Sequence, residues 1–367
     1  MARESDVGPI PVLVTAIGGG GHGDQILKAL RLADAGRYRV FGTDMNPDCP
    51  QRSLVEGFAT LPPANAPDYL DALLSTCHEW GIRALFHGCE PELNVFAKHR
   101  STIEAAGVFL PINRTDLIEQ CMDKALTNQR LSELGFPSPR YARVADIEGL
   151  AAIDWFPVVV KPSVGGGGSA NVFIAQNPRE LRALADYLGL GTVASHFMVQ
   201  EYVGTPESEF TVGVLHDLDG QYVNSIAVRR HLKGGLNVRT AVANRTGNAA
   251  LGPRLVISSG VSHGDVGRFD AVTAQCREIA TKLGSRGPLN IQCRLVDGVV
   301  KVFEINPRFS GTTSIRAMVG FNEPDILVRR HLLGETFEVD FRYSEATVLR
   351  GLSEYLVPAR SRHGDAT

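Results

Sequence analysis

Lys301-Val302-Phe303-Glu304-Ile305-Asn306-Pro307-Arg308 is the stretch that decides how this chain is read. Glu304 and Asn306 stand two apart in a strand-like run, so both side chains project from one face. A carboxylate set among Val, Phe and Ile is costly without a cation. Carboxylate and amide oxygens suit hard Mg2+, which takes few protein ligands and completes its octahedron with phosphate oxygens. Pro307 ends the strand, and Arg308 follows it, placed to fork onto a phosphoryl oxygen.

The run over residues 289–295 turns back at Asp297-Gly298 and carries Asn290 and Gln292. A three-residue turn, Val296-Asp297-Gly298 with a bulge and Gly298 at positive φ, pairs 290 with 304 and 292 with 302. All four polar side chains then share a face. A two-residue turn rotates Gln292 to the opposite side, because strand side chains alternate. The three-residue form is the expectation.

A second cationic element lies upstream. Pro157-Val158-Val159-Val160-Lys161-Pro162-Ser163 leads into Val164 and then Gly165, Gly166, Gly167, Gly168 and Ser169. A strand ending in lysine aims an ammonium beneath the loop that follows. Four glycines let that loop bend closely over phosphate and present backbone N–H groups, and Ser169 adds a hydroxyl donor. In a Walker A loop the lysine follows the glycines and a helix begins; here the lysine comes first and a strand over 172–175 follows. Lys124, at the start of a helix over 124–134, is a second cation.

Around these elements the chain of 367 residues is 44% hydrophobic and 21% charged with a formal charge of −3, a balance that argues against a nucleic-acid or membrane-surface role. No apolar run approaches the roughly 20 residues that span a bilayer. The polar N-terminus lacks a secretory layout. The six scattered cysteines show no CxxC spacing and read as buried thiols, so a cytoplasmic setting is the expectation. Strand-like and helix-spaced runs alternate over the first 112 residues, which predicts an open parallel α/β sheet. The remainder divides into linking helices over 113–156, a lid with the glycine flap over 157–204, a C-terminal subdomain dominated by antiparallel strands over 205–358, and a tail over 359–367. The fold class is therefore α/β.

In this order the pieces resemble the ATP-grasp superfamily, in its carbamoyl-phosphate-synthetase-like and biotin-carboxylase-like branch. The segments that carry the resemblance are MDKALTNQRLSELGFPSP from Met122, VVVKPSVGGGGSANV from Val158, MVQEYVGTPESEFTVGV from Met198 and VFEINPRFSGTTSIRAMVGFNEP from Val302. The resemblance implies two Mg2+ ions, with Mn2+ as a substitute, held by Glu304 and Asn306 with help from Gln292. It implies ATP phosphates on Lys124 and Lys161 under the flap of Gly165 to Ser169. Adenine would be read by the backbone of Glu201 and Val203, with Tyr202 between them, and ribose by Glu209. Arg308, with Lys161 and Asn306, would serve the transferred phosphate. Many members place a carboxylate where Gln292 stands, so this site carries one negative charge fewer. A homodimer is an expectation of the same kind.

Together these features predict a ligase that phosphorylates a carboxylate and passes the acyl group to an amine, on small amino-acid-like molecules. Synthesis or carboxylation starting from bicarbonate is the alternative. Gly18, Gly20 and Gly23 follow the first strand as GxGxxG, with Asp44 ending the next. That pattern serves a dinucleotide in an oxidoreductase, a tight strand-to-helix turn, or part of a second substrate; the last is preferred, through Gly20. Arg229 and Arg230 form either an anion clamp for a substrate carboxylate or a solvated basic loop. Glu90 and Glu92, after a strand over 84–87, face the edge where open sheets bind ligands and would receive an amine.

Overall fold

In the computed structural model the described residues are 8–144, 147–165, 169–190 and 196–354. Gly166, Gly167 and Gly168 of the flap, and the expected tail over 359–367, lie outside them. The chain divides into two compact units, one of residues 1–110 and 351–367, the other of residues 111–350.

The first unit runs β1 (Ile10–Val14), α1 (His22–Arg31), β2 (Tyr38–Asp44), β3 (Phe58–Thr60), α2 (Tyr69–Glu79), β4 (Ala84–Phe86), α3 (Glu90–Lys98) and α4 (Arg100–Ala105). Its four strands form a parallel sheet in the order β3-β2-β1-β4. Val12, Leu13 and Val14 are all buried, as expected of a central parallel strand covered on both faces. α3 and α4 are separate helices, because His99 (φ −110, ψ 23) leaves helical geometry between them.

The second unit opens with α5 (Thr115–Met122) and α6 (Lys124–Glu133), whose N-terminal donors are capped by Asp123 through Ala125 N and Leu126 N. A lid follows: β5 (Tyr141–Arg143), α7 (Ile147–Ala151), β6 (Val158–Pro162), β7 (Phe173–Ala175), α8 (Pro178–Leu188) and β8 (Phe197–Glu201). Its sheet has the order β5-β8-β6-β7, so a strand upstream of residue 157 belongs to it. Then come β9 (Glu209–His216), β10 (Tyr222–Arg230), β11 (Val238–Ala243), β12 (Arg254–Ser258), β13 (Gly264–Gly267), α9 (Asp270–Lys282), β14 (Pro288–Val296), β15 (Val299–Asn306), α10 (Thr313–Met318), α11 (Glu323–Leu332) and β16 (Ala346–Val348). Six of these strands make an antiparallel sheet ordered β15-β14-β9-β10-β13-β16, and β11 pairs with β12.

Period-2 alternation divides the faces of that sheet. Phe210, Val212 and Val214 of β9 and Leu289, Ile291 and Cys293 of β14 join the core with Val272, Cys276 and Ile279 of α9. The alternate residues, Glu209, Thr211 and Gly213 on β9 and Asn290, Gln292 and Arg294 on β14, face the other way. Gly213 is required there, because a Cβ would stand 2.4 Å from Arg316 Nη1. Arg316 is buried and pairs with buried Glu323 at 3.2 Å while donating to Asn290 Oδ1 at 2.6 Å.

The hairpin corrects the expected register. Its turn is the two-residue Asp297-Gly298, with φ of +51° and +77°, and Val296 pairs with Val299. Both central residues are left-handed, the geometry that matches strand twist in two-residue hairpins. Gln292 nevertheless stays on the site face, because β15 carries the bulge: Cys293 pairs with Val302, Gln292 with Glu304, and Phe303 has no partner across the ladder. Val300 and Val302 point into the core, the bulge reverses the parity, and Ile305 returns to the core. Asn290 therefore faces Asn306, and Gln292 faces Glu304. The shared face stands as expected; the turn length and pairings do not.

Candidate active site

Three elements of the second unit bring the charged residues together. Near the end of β6 stands Lys161, whose Nζ donates to Gln200 Oε1 at 2.7 Å and to Phe303 O at 2.9 Å. The acceptor on β15 is the carbonyl of the bulged residue itself. Lys124, at the first turn of α6, reaches Gly165 O at 3.1 Å and stands 4.0 Å from Glu304 Oε1. Its backbone N–H donates to Ser163 O, which ties the helix start to the root of the flap. Burial pulls the Lys161 ammonium down to about 7, with Glu304 opposing that shift and Lys124 adding to it.

On the hairpin, Gln292 Nε2 donates to Glu304 Oε2 at 3.2 Å. Arg308 is buried after the strand end, with Nη2 on Asn306 Oδ1 at 3.1 Å and Nη1 on Phe309 O. Asn306 Nδ2 is buried with no hydrogen-bond partner among the described residues. Ser169, from the far side of the flap, donates its hydroxyl to Ser258 O at 2.7 Å.

Deeper along β14, Arg294 grips buried Glu209 at 2.9 Å and also donates to Val203 O, Gly204 O and Val256 O. Burial works against the Arg294 charge, and Glu209 together with Tyr202 more than offsets it, leaving the arginine pKa raised. Arg230, equally buried, stands 3.4 Å from Glu209 Oε1 and donates to Ser258 Oγ, Ser259 O and Val261 O. Burial lowers its pKa, with Glu209 opposing. Five cationic groups (Lys124, Lys161, Arg230, Arg294 and Arg308) thus gather around two carboxylates, Glu209 and Glu304.

Two family models match the chain: ATP-grasp in the biosynthetic pathway with Ter operon over residues 253–349, and the PylC-like N-terminal domain over residues 13–111. By these matches the chain is similar to the ATP-grasp ligases. The carbamoyl phosphate synthase large chain of Thermomicrobium roseum is 30% identical over 223 residues, covering 59% of this chain and 19% of its own length. The curated relatives that the chain matches are longer, and it spans from about a fifth to about half of them. Among solved structures, the biotin carboxylase domain of the Hydrogenobacter thermophilus 2-oxoglutarate carboxylase, in complex with MgADP, ADP and bicarbonate, has a TM-score of 0.62 at 15% identity, covering 91% of this chain and 72% of its own. An L-amino acid ligase from Bacillus licheniformis has a TM-score of 0.59 at 17% identity, covering 89% and 75%. ATP and Mg2+ are the cofactors characteristic of this superfamily.

The donor set of this chain fits a hard divalent ion. Glu304, Asn306 and Gln292 supply carboxylate and amide oxygens along one edge of the ladder, and Glu304 remains half-exposed rather than sealed. The unpartnered Asn306 Nδ2 fits an anionic oxygen, such as a metal-bound phosphate carries. Glu209 Oε1, buried without a hydrogen-bond partner among the described residues, fits a hydroxyl donor.

Glu201 closes β8 and holds Arg140 at 3.1 Å. The Tyr202 side chain is buried and bonds the backbone of Val256, and Val203 gives its carbonyl to Arg294. Arg229 and Arg230 do not converge as a clamp, because neighbours on a strand face opposite ways: Arg229 is exposed on Asp265, at 2.7 Å. In the first unit, Gly20 is exposed at φ +69°. Asp44 there accepts from Gly18 N at 2.8 Å and from Asn46 N at 2.9 Å. Glu90 lies in the first turn of α3, while buried Glu92 accepts from Thr15, Tyr69 and Gly88. Sequence reasoning missed Arg294, Gln200 and Asn128. Arg294 was legible, since it continues the Asn290, Gln292 alternation; the two amides became visible only through contacts across the fold.

Proposed function

We propose that this chain is an ATP-dependent carboxylate–amine ligase acting on small amino-acid-like molecules and releasing ADP and phosphate. The observation that carries the reading is the convergence of Lys124 and Lys161 on the bulged end of β15, beside Glu304. Lys124 and Lys161 hold triphosphate oxygens, the backbone at Gly165 and the Ser169 hydroxyl cover them, and Arg308 steadies the phosphoryl group in flight. Mg2+, held by Glu304, Asn306 and Gln292, cancels charge on the phosphate oxygens when bound. Mn2+ is a substitute. Adenine is assigned to the backbone of Glu201 and Val203 beside Tyr202, and a ribose hydroxyl to Glu209. The acceptor carboxylate attacks the γ-phosphorus and ADP leaves. The amine then attacks the acyl carbon, the C–O bond to phosphate breaks, and the amine proton goes to water.

Phosphorylation of bicarbonate is the second reading. It is favoured by the likeness to carbamoyl phosphate synthase and to a biotin carboxylase domain with bound bicarbonate. A cytoplasmic setting and a homodimer complete the proposal. The deciding experiment incubates the chain with ATP, Mg2+ and single amino acids or bicarbonate, and measures ADP, phosphate and hydroxylamine-trapped acyl hydroxamate. Amino-acid-dependent ADP and hydroxamate support the ligase. ADP formation dependent on bicarbonate alone selects the second reading, and formation of AMP rejects both.

A further inference from the structure

Behind Lys161 lies a chain of buried amides whose direction is fixed by chemistry. Asn128 Nδ2 donates to the backbone carbonyl of Lys124 at 2.7 Å. A carbonyl can only accept, so Asn128 must turn its Oδ1 the other way, where it accepts from Gln200 Nε2 at 3.1 Å. That in turn fixes Gln200 with Oε1 outward, and there it accepts from Lys161 Nζ at 2.7 Å. Asn128 and Gln200 are each 2% exposed, so water does not compete for these bonds. With Phe303 O as a second acceptor, the Lys161 ammonium is held between the lid strand β8 and the bulge of β15. One relay thus joins the backbone of one phosphate-binding lysine to the side chain of the other, through α6, β8 and β6.

We propose that Gln200 and Asn128 are positioning residues that set the Lys161 ammonium for triphosphate, a role resting on the nucleotide-binding part of the function proposed above. Gln200 supplies the acceptor that aims Nζ, and Asn128 keeps Gln200 from rotating its NH2 toward the cation. Neither touches nucleotide, so each acts only through Lys161. An isosteric apolar side chain at 200 leaves Phe303 O as the remaining acceptor named for Lys161, and the ammonium loses its fixed direction.

The test is a double-mutant cycle on the full-length chain, read as the dissociation constant of Mg2+·ATPγS by calorimetry, with melting temperatures recorded alongside. Gln200→Met is expected to weaken binding about tenfold, the scale of a charge-assisted hydrogen bond. Asn128→Ala, which leaves Gln200 in place but unoriented, is expected to weaken it about threefold by the same reasoning. On a Lys161→Met background neither substitution should weaken it further. Equal losses with and without Lys161 would mean that the amides only hold the lid together, and the relay would be overturned; so would wild-type affinity in both single variants. Asn128→Ala decides the matter should Gln200→Met fail to fold. Absence of any ATPγS binding by the wild type rejects this relay and the proposed function together. Binding without ADP release on any acceptor rejects the ligase reaction alone and leaves the cycle readable.

Discussion

The two units each carry a glycine-led turn, and they use their polar groups in opposite ways. In the turn of Gly18 to Gly23, Asp44 is occupied by Gly18 N and Asn46 N, and nearby Glu92 by Thr15, Tyr69 and Gly88. Its carboxylates tie strands and loops of their own unit. In the lysine-led turn of the second unit, five cations meet two carboxylates, and Asn306 Nδ2 and Glu209 Oε1 lack hydrogen-bond partners among the described residues. A glycine pattern alone therefore does not mark a phosphate site. What distinguishes the second turn is charge and hydrogen-bonding capacity that the fold leaves for something else.

The strongest test of that contrast is Glu304→Ala. It should cut ADP formation roughly 10⁴-fold, on the scale of the several kcal/mol that a bound metal supplies, with little change in melting temperature. Glu92→Ala should do the reverse, lowering the melting temperature and leaving ATPγS affinity within about twofold, because its partners are structural. A well-folded Glu92 variant that had lost nucleotide affinity would break the comparison.

Arg230→Ala should cost about 3–5 kcal/mol in urea unfolding, since it leaves buried Glu209 with one guanidinium fewer. Truncating its exposed neighbour in Arg229→Ala should cost within about 0.5 kcal/mol. Similar losses at both positions would contradict the assignment of opposite faces.

Smaller effects appear in pH dependence, and the two turns should differ in sign. Lys161 titrates at about 7 when folded, against an ordinary 10.5, so the unfolded chain binds more protons between those values. Stability of the nucleotide-free chain should rise from about pH 7 to about 10.5 and be lost as pH falls back through 7; Lys161→Met should flatten that slope. Burial raises the Glu92 carboxyl above its ordinary 4.5, opposed by bonds from Thr15, Tyr69 and Gly88. Its contribution is full below 4.5 and is lost as pH rises through the folded value, and Glu92→Gln should remove it. Urea midpoints across pH check both signs.

Much of the site was legible along single strands. Glu304 and Asn306 share a face by alternation, and Lys161 stands near the end of a strand before the glycines. The bulge left a trace too: Val302-Phe303 puts two apolar residues together where alternation asks for one. That break, rather than the turn length, marks the parity change. Arg229 and Arg230 stayed open between a clamp and a solvated loop, because a basic pair in sequence does not show that the strand splits it across two faces.

Local chemistry by itself determined which segments become strands, helices and turns, and which side of each strand is polar, because periodicity and capping act over a few residues. The tertiary structure alone decided which acceptor each buried donor meets. Lys161 finds Gln200 39 residues away and Phe303 142 residues away. Pairing at that range depends on which elements pack together, since a buried polar group must take its partner from whatever the packing brings beside it.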